Sequence, residues 1–338
     1  MSKVRAVVPL HPGDAKRCIA IHGVSPRTTA KPLIRWKDYG TAKWADERRR
    51  RIGASEIAAV LGLSTFASPF SLWWSKQNEW DYEQTMAQRL GHDLEPIIGG
   101  LFAERRPDLL VCRPAWSLWR HPTFDVASCS PDFLAVAGVT GRVWIEPVEC
   151  KSDEGGPDWG KPGTDEIPEH HRMQVLWQCG VLGAPRGHVV RVAGKRYTDY
   201  VVEYDDAQAG WFAGAVDEAR AFVASLELGV EPEIDGHKAT TSTLGRLNDK
   251  LIVEPDDPDA YAWIDDERAD EYARRRLQLS IAEAEFARVQ NLIRAELGTA
   301  KWGRRKGDGR RFVERRVYKR SEYTVPAGMV DQLHPKAK

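Results

Sequence analysis

The residues best equipped for chemistry are Asp132 and the triplet Glu149-Cys150-Lys151. They flank or end two β-rich runs, Phe133 to Ala137 and Val143 to Cys150, with Gly138 and Gly141 supplying the turn between them. If that turn centres between Thr140 and Gly141, Asp132 and Glu149 lie directly opposite, with Cα atoms about 4.5–5.5 Å apart. Strand alternation then points Glu149 and Lys151 to one face and Cys150 to the other. Two carboxylates so close repel unless a cation separates them or one is protonated. Hard oxygen ligands without His or Cys favour Mg²⁺ or Mn²⁺ over zinc. Such an ion polarises a phosphate oxygen, and a neighbouring lysine orients or deprotonates the attacking water. That equipment suits phosphodiester hydrolysis. The plain alternative is an Asp–Lys–Glu cluster on a solvated hairpin, because a Glu-x-Lys triplet is common by chance. Pro147 is expected at an edge or a bulge, since it has no N–H for a central ladder.

The surrounding elements must position this hairpin. A basic run, Arg48 to Arg51, leads into Ile52-Gly53-Ala54-Ser55. Ser55 is a candidate N-cap for a short helix carrying Ile57, Ala58, Val60 and Leu61, closed by Gly62. Ser68-Pro69 opens a second helix through Trp74. A third is predicted over roughly 85–105, where Leu90, Leu94, Ile97, Ile98, Leu101 and Phe102 share one face. Pro96 fits there only in a first turn or at a kink. After the hairpin come a loop (152–168) and a helix (169–181). Strands His188–Val192 and Tyr197–Tyr204 follow, then a helix with Trp211, Ala215, Phe222 and Leu226 on one face. This order predicts an α/β unit, a mainly antiparallel or mixed sheet flanked by helices. The expected domains are an irregular lead-in (1–44), the main unit (45–230), a linker (231–264), and a long helix with a basic tail (265–338). Leu277, Ile281, Ala284, Val289, Leu292 and Leu297 mark that helix.

The whole chain, 338 residues, carries 49 basic and 49 acidic side chains. Neutrality argues against a polyanion partner only if the charges are evenly spread. They are not. Between Lys301 and Arg320 ten basic residues stand against Asp308 and Glu314 alone, so the remainder is acidic. Arg304, Arg305, Lys306, Arg310 and Arg311, interleaved with Trp302, Phe312 and Tyr318, are candidate nucleic-acid backbone contacts. A solvated tail, or one paired with the acidic body, is the bland alternative. Five cysteines with no CxxC pair read as reduced cytoplasmic thiols and speak against a structural zinc or iron–sulfur site. No apolar run approaches the ~20 residues of a membrane span.

Five motifs occur in order: Arg48 to Glu56 containing Ile-Gly-Ala-Ser-Glu, Gly91-His-Asp-Leu-Glu95-Pro, Ser130-Pro-Asp132, Glu149-Cys-Lys151 and Gln174-Val-Leu-Trp-Gln178. Together they resemble the YqaJ-type viral recombinases, similar to phage lambda exonuclease, within the PD-(D/E)xK nuclease fold. The resemblance spans about residues 45–230. It implies metal-dependent degradation of linear double-stranded DNA from the 5′ end, leaving a 3′ overhang for single-strand annealing. By that resemblance Asp132, Glu149 and the main-chain carbonyl of Cys150 hold the metal, Glu95 completes the metal site, Lys151 lies beside the attacking water and Gln174 supports the site. Arg48 and Ser55 match positions that grip the 5′ phosphate, with Arg51 as the other register and Ser130 as a weaker phosphate contact. It further implies a ring-shaped trimer and an annealing partner protein. An endonuclease or nickase of the same fold, and a DNA-end scaffold without catalysis, are the rival readings.

Overall fold

Two strands carry the candidate acids, β5 (Phe133–Val139) and β6 (Arg142–Asp153). The structure, a computed structural model, describes residues 28–78, 85–114, 116–139, 142–153, 158–248 and 262–317. Two compact units divide the chain, Met1–Leu247 and Asn248–Lys338. In the first, β5 and β6 occupy the middle of a five-stranded sheet ordered β2-β5-β6-β7-β8, with β2 at Leu110–Cys112, β7 at Arg186–Ala193 and β8 at Arg196–Glu203. All neighbours are antiparallel except β6 and β7, which run parallel. The sheet is therefore mixed and flanked by helices, as the element order predicts.

The hairpin register runs from Phe133 opposite Val148 to Val139 opposite Arg142. It is the one expected from a turn between Thr140 and Gly141. One step beyond its last pair, Asp132 faces Glu149.

Pro147 departs from expectation. It sits inside a central strand opposite Leu134, in an unbroken register. The backbone parity explains this. Pro147 and Glu149 direct their backbone groups to the β7 side, and the β7 ladder begins only at Val148. The missing N–H therefore falls at the end of that ladder rather than within it.

Alternation splits the hairpin between two cores. Phe133, Ala135, Val148 and Cys150 pack under α4 (Met86–Arg105) with Ile98, Phe102 and Val190. Leu134 and Val136 face the other core, which contains Trp177 of α5 (Glu169–Leu182) and Phe212 of α6 (Asp206–Leu228). Helix α4 begins with a capping box between Thr85 and Gln88. Its buried face is narrower than predicted: Ile98 and Phe102 are buried, whereas Leu90 and Ile97 are exposed. Pro96 lies in the helix interior on the exposed side, where solvent satisfies the carbonyl that loses its partner.

Other elements refine the sequence reading. Strand β1 (Lys31–Arg35) lies within the predicted lead-in and pairs with β3 (Trp116–Arg120), which also pairs with β4 (Ser128–Cys129). Helix α2 is only Ile57–Val60, and its N-cap is Glu56, without a side-chain cap bond, rather than Ser55. Helix α3 (Pro69–Gln77) does start at Ser68, with a capping box to Ser71. Helix α7 (Lys238–Leu247) interrupts the predicted linker, and its buried Thr240 shares a 2.7 Å hydrogen bond with Ser68. In the second unit the long helix is α8 (Asp266–Leu297), and the predicted tail forms a hairpin of β9 (Trp302–Arg304) and β10 (Arg311–Glu314). Tyr318, Lys319 and Arg320 of the predicted basic tail lie outside the described residues.

The close approach of α4 to the acid-bearing strand depends on Gly99. A Cβ there would lie 2.4 Å from the ring of Phe133, which is almost fully buried and adjoins Asp132. Alanine would gain roughly 1 kcal/mol of helix propensity but overpack a rigid ring, a cost of about 1–3 kcal/mol. Gly99→Ala is expected to lower the urea midpoint; an unchanged or raised midpoint would refute this packing account.

Candidate active site

At the open end of the β5–β6 hairpin, Asp132 and Glu149 converge and are held by different donors. The Asp132 carboxylate accepts a 2.8 Å hydrogen bond from the Cys150 N–H. In a strand, the N–H and C=O of one residue point to the same side. The Cys150 carbonyl is therefore directed to the β5 side as well, past the last paired residue, Phe133. Its thiol side packs with the α4 core.

Glu149 is 5% exposed and accepts three bonds. Lys151 Nζ donates to Oε1 at 2.8 Å, Gln174 Nε2 to Oε1 at 2.7 Å, and Gln178 Nε2 to Oε2 at 2.8 Å. Lys151 also donates to Gln174 Oε1 at 3.0 Å. Gln174 and Gln178 are four apart on α5, so one helix face presents both amides to one carboxylate. Gln178 is fully buried. In the sequence it stands only as the end of a motif, without a role of its own, and its i, i+4 spacing from Gln174 is the signal that points to it.

Charge crowding is strong. Burial raises the Asp132 carboxyl well above the usual range, and Glu149 and Glu95 add to the rise. Glu95 is raised mainly by burial, against lowering by its bond to His92, with Glu149 again raising it. Burial pulls the Lys151 ammonium down, but Glu149 and Asp132 more than offset this, and its net shift is upward. Glu95 Oε1 shares a 2.8 Å hydrogen bond with His92 Nδ1, and Oε2 lies 3.8 Å from Arg113. Neither His92 nor Arg113 stands out as a site residue in the sequence.

Among the described residues, no group of three or more His, Cys, Asp or Glu side chains is arranged to hold a metal ion by itself. The donor chemistry nevertheless fits a hard cation. Two crowded carboxylates, Asp132 and Glu149, meet a main-chain carbonyl that has no partner strand beside it, and a cation would relieve their mutual repulsion. Glu95 is engaged by His92 and stands as an outer acid here.

The basic segment preceding α2 is organised by an ion pair between buried Lys76 and half-buried Glu56. Lys76 Nζ donates to Glu56 Oε2 at 2.9 Å and to the carbonyls of Arg48 and Arg51. Glu56 also accepts from Arg48 at 3.1 Å and from the Gly53 N–H at 2.7 Å. Arg51 is bound to Glu47 and Asp125 with its side chain 10% exposed. It is a strut between α1 (Ala42–Arg49) and the segment before β4, not a free phosphate grip. Arg48 keeps more exposure and lies over the Trp44 ring at 5.1 Å. Ser55 is exposed in the turn before α2, and Ser130 is half-buried two residues before Asp132. Trp36, Tyr39 and Trp44 form a ring ladder with centroids 5.0 and 4.9 Å apart. Burial chiefly raises the Tyr39 hydroxyl, followed by Glu95, and the charges of Arg48, Asp132 and Arg113 also reach it. Arg113 lies over the Trp36 ring at 4.6 Å and 3.8 Å from Glu95, so it carries the ladder from Arg48 to that acid, a feature without a local sequence signature.

These motifs coincide with one family match. The chain matches the YqaJ-like viral recombinase domain over residues 43–185. Arg48, Glu95, Asp132, Glu149, Lys151, Gln174 and Gln178 all fall inside it. The chain is also 26% identical over 286 residues to the uncharacterized protein YqaJ of Bacillus subtilis strain 168, covering 81% of this chain and 83% of that protein. Two solved structures share partial likeness. An alkaline exonuclease from Laribacter hongkongensis has 22% identity and a TM-score of 0.42, over 62% of this chain and 100% of its own. A phage-related exonuclease from Haemophilus somnus 129PT has 12% identity and a TM-score of 0.39, over 54% and 96%. No helix among the described residues is long and apolar enough to cross a membrane.

Burial alone would raise the Glu56 carboxyl, but Lys76 and Arg48 override it and hold it down to about 2. A depressed carboxyl contributes stability above its unfolded pKa, and that contribution fades as pH falls towards the folded value. The first unit should therefore lose stability between about pH 4.5 and 2. Urea midpoints across this range are expected to fall more steeply for wild type than for Glu56→Gln; parallel profiles would contradict the pairing.

Proposed function

We propose that the chain is a Mg²⁺- or Mn²⁺-dependent deoxyribonuclease acting as a 5′→3′ exonuclease on linear double-stranded DNA. The observation that carries the proposal is the convergence of Asp132, Glu149, Lys151 and Gln174 at one hairpin end, inside a YqaJ-like domain. Asp132, Glu149 and the Cys150 carbonyl would hold the ion, with Glu95 acting from α4. When bound, the ion supplies Lewis-acid polarisation of a phosphate oxygen and a more acidic water.

The chain's own groups do the rest. Gln174 and Gln178 fix the Glu149 carboxylate, so its orientation needs no rearrangement when substrate arrives. Lys151, anchored between Glu149 and Gln174, directs its remaining proton towards the attacking water or the developing charge. Arg48, with Ser55 and Ser130, would bind the terminal 5′ phosphate; a guanidinium suits that oxyanion. The product would be a 3′ overhang handed to a single-strand annealing protein, and a ring-shaped trimer would keep the enzyme on its track. The β9–β10 hairpin supports a second DNA contact. Arg304, Arg305, Lys306, Arg310 and Arg311 are all exposed, and Arg311 lies over Trp302 at 4.7 Å, a cation-rich ribbon suited to phosphates.

Duplexes labelled at the 5′ or 3′ end, with and without a 5′ phosphate, test the reading. Mg²⁺-dependent release from 5′ ends is expected, with covalently closed circles left intact. Asp132→Ala should abolish it, and Gln178→Ala should lower activity about 10–100-fold. Cutting of circles would instead support an endonuclease, and binding without cleavage a scaffold; full activity in Asp132→Ala would end the proposal.

Replacing Arg304, Arg305, Lys306, Arg310 and Arg311 with Gln should weaken duplex binding and flatten its salt dependence, by about one unit of log–log slope for each phosphate that is no longer neutralised. An unaltered salt slope would remove the hairpin from the DNA interface.

A further inference from the structure

The second unit contains a helix that leaves its apolar surface uncovered. Helix α8 has 32 residues, about 48 Å of helix, and no buried residue. Its apolar residues fall in two stripes on opposite sides. Leu277, Ile281, Ala284 and Leu292 make one. Tyr272, Leu279, Phe286 and Ile293 make the other and recur every seven residues, with Ala282 and Val289 three residues after Leu279 and Phe286. That second stripe has the spacing of a coiled-coil seam. Leu279 is 54% and Phe286 65% exposed, a surface that isolated helices do not keep in water without a partner.

We propose that this seam pairs with the same helix of a second copy, in antiparallel orientation. The charges select both the partner and the direction. The seam positions three residues after Tyr272 and Ile293 are Arg275 and Glu296. A parallel, in-register pair would set Arg275 against Arg275 and Glu296 against Glu296, two like-charge layers. The antiparallel register with Leu279 facing Ala282 of the second copy separates the Arg275 pair and moves the one remaining acidic layer, Glu296 against Asp265, out to the helix ends, where Asp265 is the N-cap. Tyr272 then meets Val289, and Arg275 meets the face of Phe286, a cation–π contact. At the flanks, Arg276 lies beside Glu283 of the second copy, twice by symmetry. Shifting by one heptad brings Glu283 against Glu283 and Glu285 against Glu285, so charge also selects against that register.

This inference is independent of the nuclease reading, since none of its residues belongs to the YqaJ-like domain. Its test is the mass of the full chain at tens of micromolar, by light scattering or sedimentation equilibrium. Leu279→Glu/Phe286→Glu should halve the mass, from six chains to three where the ring of the proposed function forms and from two to one where it does not, with helix content retained in circular dichroism. Leu277→Glu/Ile281→Glu, on the opposite stripe, should leave the mass unchanged. Arg276→Glu should weaken association about tenfold, and Arg276→Glu/Glu283→Arg should restore it. A monomeric wild type, an unchanged mass in the seam variant, halving in the control, or no recovery in the charge swap would each overturn the proposal.

Discussion

The buried Glu149 carboxylate is the constraint around which the first unit is organised. An ionised group taken out of water costs several kcal/mol unless it is paired and hydrogen-bonded. Lys151 supplies the pairing and Gln174 and Gln178 supply the bonds. Meeting that demand requires β6 to present Glu149 and Lys151 on one face, and α5 to lie across that face with two amides one turn apart. Removing Gln178 leaves Oε2 without a donor, whereas Oε1 has two, so the α5 contact at Gln178 ties the site to the α5–sheet packing.

A second, largely desolvated ion pair does the same for the basic segment. Glu56 and Lys76 tie the turn before α2 to α3, and the lysine also holds the carbonyls of Arg48 and Arg51. The run of four arginines is thereby divided into distinct environments. Arg51 is consumed by Glu47 and Asp125, while Arg48 is left near the aromatic ladder that reaches the acids. Identical side chains in sequence become a strut and a candidate phosphate ligand because their neighbours differ.

Much of this is legible in the chain. The hairpin register follows from two glycines and the requirement that apolar residues alternate, and helices α3, α4, α5 and α6 follow from caps and periodicity. The departures share a cause. Residue type disfavours Pro147 in a central strand because a sequence does not show where a neighbouring ladder starts. Spacing places Leu90 and Ile97 on a buried face because periodicity identifies an apolar stripe but not how much of it another element covers. Ser55 has the residue type of a cap, whereas the turn is closed by the half-buried Glu56 carboxylate, whose lysine partner is twenty residues away.

The sequence alone determined the residue types of the site, their order, the strand parity that unites Glu149 with Lys151, and the polarised charge hidden in a neutral total. These depend on local spacing, which a chain carries in any conformation. Only the tertiary structure decided that Gln178 completes the Glu149 cage, that Arg51 is held by Glu47 and Asp125, that the aromatic ladder and Arg113 link Arg48 to Glu95, and that the basic tail is a folded hairpin. Those outcomes depend on contacts between residues distant in sequence, where burial and pairing, rather than residue type, set what each group can do.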